Sequence, residues 1–256
     1  MVKTLLVRGM IAGAVAGLLA FGFARVYGEP QIDKAIAFEE LMEKAEHATH
    51  DHGNAMTSAQ TPKAEEPELI SRGVQASIGL FTAVAVYGAG MGGLFAIVFA
   101  FAYGRIGELG PRATAALLAG AGFLSVVIVP FLKYPANPPA VGNPDTLGSR
   151  TALFLIMIAI SIAALTLAIG VARRLVVRFG GWNAAILAGV VFVAIITVAE
   201  LVLPDISEVP EQFSADVLWR FRMASLGMQV VMWTTLGLLF GGLAVRVLDS
   251  RSPSTP

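Results

Sequence analysis

Cysteine is absent from the 256 residues. That excludes disulfides, thiolate metal sites and cysteine nucleophiles. Charge is scarce: 14% of the residues are Asp, Glu, Lys or Arg, against about 25% in a soluble domain. Neither sign is in excess, with 18 basic and 18 acidic residues, so nucleic acid is not an expected partner. No glycine loop of the Walker type occurs, and nothing in the chain looks able to hydrolyse ATP. What is plentiful is apolar. Hydrophobic residues make up 56% of the chain and mean hydropathy is +0.73. Such a composition belongs in lipid, and the expected fold is an all-α polytopic membrane protein forming one membrane domain over residues 1–256.

A bilayer core about 30 Å thick takes roughly 20 apolar helical residues to cross. Six runs meet that length: 5–27, 76–103, 113–132, 151–171, 184–203 and 223–247. Gly9, Gly13 and Gly17 recur every four residues on the first, and Gly88, Gly92 and Ala96 on the second. Small residues at this spacing point to close helix packing. The first run has a second reading as a signal peptide, with Lys3 and Arg8 as its basic start and Gly22-Phe23-Ala24 as the cleavage site. Its small-residue face suits a retained helix better.

Basic residues in the short loops favour cytoplasmic N- and C-termini. The long polar segment 28–70 is then an outer loop inserted between helices 1 and 2. It holds many carboxylates and all three histidines. Residues 32–46 suit a short amphipathic helix, with Ile36, Glu40 and Glu43 at helical spacing. Residues 50–68 read as a linker. The three outward helices are expected to stop near Pro30, Pro130 and Pro204, because proline has no backbone donor. Each following helix opens near arginine: Arg72, Arg150, and Arg220 with Arg222. This recurrence suggests three tandem helical hairpins.

The sharpest chemical signal is Glu46-His47-Ala48-Thr49-His50-Asp51-His52. Neutral imidazoles bind late first-row divalent metals, and carboxylates supplement them. On a helix His47 and His50 share a face with Glu43. In an extended stretch His50 and His52 share one instead. The candidate ligands are therefore His47, His50, His52, Asp51, Glu46 and Glu43. These ligands do not select cobalt over copper.

A second set of residues is a candidate outer path. Lys133-Tyr134-Pro135-Ala136-Asn137-Pro138-Pro139 is too rich in proline for a regular helix. Folded over the bundle, it would offer Tyr134, Asn137 and backbone carbonyls. Gln75 sits within the start of an inward helix, and Glu200 lies near the outer end of the fifth span. Arg150, Arg220 and Arg222 would shape the entrance by pairing with Glu211 or Asp216, since an arginine repels a cation unless a carboxylate intervenes.

Several blocks resemble the CbtA family of probable cobalt transporter subunits. They are Ser71-Arg72 with Gln75, Gly104-Arg105-Ile106-Gly107, the proline loop with its flanks over 129–142, Val209-Pro210-Glu211, and Leu218-Trp219-Arg220-Phe221-Arg222 through Leu226. The resemblance runs from about Ser71 to the end of the last helix. It implies cobalt import across the bacterial inner membrane for cobalamin synthesis. It also implies a small single-span, histidine-bearing CbtB-like partner. Cobalt would be the substrate, with no tightly bound cofactor, and oligomerisation is left open. A non-transporting module that binds metal and feeds a separate permease is the alternative. A membrane enzyme is not expected, because no paired catalytic groups stand at credible spacing.

Overall fold

The computed structural model describes residues 2–51, 75–139, 141–142, 144–206 and 208–249. Among them all regular structure is helical. Helix α1 (Val2–Phe23) passes through a π-helical turn (Ala24–Gly28) into α2 (Glu29–Asp51). A second π turn (Gln75–Gly79) leads into α3 (Leu80–Ala102). Helix α4 (Pro111–Gly122) continues through a third (Phe123–Ile128) into the short α5 (Val129–Lys133). Helices α6 (Leu147–Val202) and α7 (Ala215–Asp249) follow. Five continuous helical stretches among the described residues are long and apolar enough to cross a membrane.

Two prolines expected to stop helices do not. The chain stays helical through Pro30 and Pro130. In both cases a π turn ends just before the residue preceding the proline. There the Glu29 N–H bonds Ala24 O and the Val129 N–H bonds Leu124 O. Proline clashes with the carbonyl four residues back and leaves it without a donor. Five-residue spacing relieves both problems by widening the coil. Helix α2 therefore extends the first helix to Asp51 and contains the amphipathic stretch expected at 32–46. Pro204 behaves as expected: α6 ends at Val202 and Leu203 is extended.

Helices α1 and α3 meet backbone to backbone. A Cβ on Gly13 would strike the Gly88 carbonyl, one on Gly9 or Gly92 the other's carbonyl, and one on Gly17 that of Val84. This is the packing role expected for the small-residue spacing. Helix α7 closes the same core, where Phe240 stands edge-on to Phe95 and Phe99. Leu5, Ala12, Ala16, Trp233 and Leu236 complete it. Arg8 donates to the Leu243 carbonyl at 2.6 Å and ties the chain termini together.

Helix α6 has 56 residues and one non-helical position, Gly180, at φ 73° and ψ 165°. Met157 and Ala164 share an apolar cluster with Ile196 and Ala199. In a straight helix Met157 and Ala199 would stand about 63 Å apart at 1.5 Å per residue. The helix therefore folds back at Gly180. Its most apolar window is 22% buried, half the 44% of α7, so this folded pair lies at the edge of the bundle. Arg173 anchors one end of it on the Arg105 carbonyl at 2.7 Å.

Candidate functional site

The end of the bundle opposite the termini holds a cavity of about 990 Å³. Its roof is the proline loop after α5. Its walls come from the first turns of α6 and from residues 222–229 of α7, and Glu39 of α2 stands at its edge. Pro135, Pro138 and Pro139 keep this loop out of a helix, so its carbonyls need partners from elsewhere. Arg222 supplies them: Nε donates to Ala136 O at 3.3 Å and Nη2 to Asn137 Oδ1 at 3.0 Å. Lys133 secures the loop's start by donating to Glu200 O at 2.7 Å and pairing with Asp205. The Tyr134 hydroxyl donates to Pro204 O at 2.9 Å. Burial raises the Tyr134 phenol above its ordinary pKa.

The opposite wall is fixed by an ion pair between Arg150 and Glu208, 3.5 Å apart. Gly142 adopts φ 118° beside them, and a Cβ there would strike the Arg150 guanidinium. Over the mouth, Ala35 and Phe38 of α2 pack with Val141, Val209 and Phe213, and the Phe38 and Phe213 rings meet edge to face. The amphipathic pattern of α2 thus lays apolar residues on the loops at this end of the bundle.

Tyr134, Asn137, Arg150 and Arg222 are brought together on this cavity. Arg220 is not among its lining residues; it pairs with Asp216 at 2.9 Å on an exposed helix face. Glu200 is also outside the lining, and its buried Oε1 has no hydrogen-bond partner among the described residues. Gln75 begins a π turn, and its side chain is outside the description. Glu43, Glu46, His47, His50 and Asp51 lie on helix α2. Of the two geometries open to the histidines, the helical one holds for the backbone at His47 and His50. His52 and Arg72 fall outside the described residues. Among the described residues no three His, Asp or Glu converge as a metal site.

Three participants escaped sequence reasoning. Glu208, rather than Glu211, faces Arg150. Glu39 reaches the cavity edge, and Tyr87 of α3 lines a wall. No spacing rule links these positions, because each contact joins distant parts of the chain. Gln229, two turns beyond Arg222 on α7, also lines the cavity, and its Oε1 is buried without a partner among the described residues.

A largely apolar cavity that carries a few charged and polar groups, Arg150, Arg222, Asn137 and Gln229 among them, has room for a small solute. The family model described as "probable cobalt transporter subunit (CbtA)" matches residues 2–245. The chain belongs to the CbtA family. It is accordingly a membrane protein of a family of probable cobalt transporter subunits rather than of an enzyme family. As a subunit, a CbtA chain implies a partner. No curated relative and no solved structure matches the chain.

Proposed function

We propose that this CbtA chain imports cobalt across the bacterial inner membrane through six spans, with both termini cytoplasmic. The fold at Gly180 supports the count, since it divides α6 into arms of 33 and 22 residues, each long enough to cross. The cavity then opens outward. Below it Trp233, Leu236 and Phe240 close the bundle toward the cytoplasm. A cavity on one side and a packed barrier on the other is what an outward-facing carrier or gated path requires, and this observation carries the reading.

His47, His50 and His52, with Asp51, Glu46 and Glu43, capture the ion outside. Tyr134, Asn137, Gln75, Arg150, Arg220, Arg222 and Glu200 belong to the entrance and its supports. The partner is a small single-span subunit with a histidine-bearing end, and the imported ion serves cobalamin synthesis. The hairpin repeat draws support from the paired π turns before Pro30 and Pro130. Any such repeat concerns connectivity, because α7 packs on α1 and α4.

Uptake of radiolabelled cobalt tests this reading in cells lacking other cobalt importers, with this chain and its partner coexpressed. Uptake above the empty-vector level is expected, falling at least tenfold at low cobalt when His47, His50 and His52 become alanine. Uptake unaffected by those changes would remove the capture role. No uptake, with membrane insertion verified, would refute import. The aromatic barrier below the cavity also fits a non-transporting module that hands metal to another permease. Cobalt flux into liposomes containing only the purified subunits separates the two.

A further inference from the structure

Resting on the import reading, we propose that the cavity docks its metal as an anionic, carboxylate-bearing chelate received by Arg222, rather than as a bare cation. The charged groups on the wall are Glu39, Arg150 and Arg222. Arg150 is matched by Glu208, and Glu39 is exposed at the edge. Arg222 differs from both. It donates to two neutral oxygens, Ala136 O and Asn137 Oδ1. A guanidinium has five N–H donors in a planar fork that matches a carboxylate. Two are used here, so the fork retains donors for a ligand.

The same contacts count against a bare ion. Asn137 Oδ1 and Ala136 O are the loop oxygens a cation would seek, and both already accept from a cation. A hard divalent ion needs about six oxygen ligands. This wall instead presents apolar side chains and a guanidinium that repels it. At about 990 Å³ the cavity has room for a small organic chelate. Gln229 lies seven residues from Arg222 on the same helix face, and its amide suits a second ligand oxygen deeper in. An inside-negative potential opposes passage of the intact anion, so this is a docking site rather than a conduit for the whole complex. Metal held by the histidines of α2 can keep a carboxylate co-ligand, which makes capture and docking compatible.

The test follows the organic ligand rather than the metal. Full-length protein in nanodiscs is equilibrated with radiolabelled citrate, with and without equimolar cobalt. Cobalt-dependent retention of citrate is expected. It should weaken at least about tenfold in Arg222→Gln, the range for losing a hydrogen bond to a charged group, and by less in Arg222→Lys, which keeps the charge but loses the planar fork. Asn137→Asp keeps the shape of the loop and sets a carboxylate against Arg222. It should abolish retention even if Arg222→Gln folds poorly. Retention independent of cobalt, or unchanged in both Arg222→Gln and Asn137→Asp, would overturn the proposal. So would a wild-type protein that retains no citrate. Cobalt uptake by cells from citrate-free medium distinguishes the failures: if it persists, import stands and only the chelate form is wrong.

Discussion

The two sides of this bundle are held together by different means. On one side α1, α3 and α7 meet through glycine backbones and an aromatic cluster. On the other, the folded α6 touches the bundle chiefly near the cavity, through Val129, Tyr134 and the loop after α5. The difference lies in what fills the gap between helices. Where glycine lets backbones touch, dispersion acts over the whole helix length and tolerates no added atom. Where side chains and loops fill the gap, there is room for a cavity and for charged groups. The tight side is a frame. The loose side carries the candidate chemistry.

The largest predicted effect breaks the frame. Gly13→Leu drives four carbons into the Gly88 carbonyl and the Gly92 backbone. Overpacking a core commonly costs about 1–3 kcal/mol; with rigid backbone as the obstacle, the upper end or more is expected, and no folded protein should survive purification. The same change at Gly189 on α6 meets open space. It should be neutral or slightly stabilising, since leucine exceeds glycine in helix propensity by roughly 0.8 kcal/mol. Thermal stability of the two variants by size exclusion gives the contrast. Equal losses would erase the distinction between the two sides.

Next comes the fold of α6. At φ 73° and ψ 165° Gly180 occupies a region nearly reserved for glycine. Gly180→Ala should cost about 1–3 kcal/mol and splay the arms joined by Met157 and Ile196, while the glycine contacts of α1 with α3 persist. A bifunctional cross-link between cysteines placed at Phe21 and Phe81, whose rings meet where α1 faces α3, is compared with one between cysteines at Ala164 and Phe192. Loss of the second with retention of the first is expected.

Much of this frame was legible because hydropathy and four-residue glycine spacing are local signals. The six apolar runs fall on the five long helices, two of them on α6. Its turn was less legible, because Gly180-Gly181 resembles the many glycines that only pack. The prolines misled for a physical reason. A rule built on four-residue hydrogen bonding does not apply where the coil widens to five, and sequence carries no clear mark of that widening. Away from the cavity, the pairing of Arg220 with Asp216 was readable from its four-residue spacing. The contacts of Arg222 with Asn137 and of Arg150 with Glu208 join positions far apart in sequence, so only the fold could supply them.

A third prediction addresses how the loose side holds its wall. Glu208→Leu removes the carboxylate that faces Arg150 and leaves a partly buried guanidinium without it. Stability should fall by about 1–3 kcal/mol. If Arg150 supports the wall rather than binding the cargo, Arg150→Met combined with Glu208→Leu should recover most of the loss, because apolar replacements of a buried pair are often neutral. A double-mutant cycle measured by thermal unfolding reads this directly. An additive double mutant would mean that the two side chains stabilise the wall independently.

The smallest effect should come from the loop's outer tie. Tyr134 donates one hydrogen bond to Pro204 O at an exposed position. Tyr134→Phe keeps the ring and removes only that bond, so about 0.5–1.5 kcal/mol or less is expected. Because the phenol bridges the α5 loop to the end of α6, the change should act on the mobility of the roof more than on global stability. Hydrogen exchange of the backbone amides at Asn137 and Ala136 is the sensitive readout, with faster exchange there and none beside Gly13. Faster exchange on both sides would mean that the frame and the cavity wall unfold as one unit. Confinement to the loop would show that the cavity side opens on its own, independently of the glycine-packed frame.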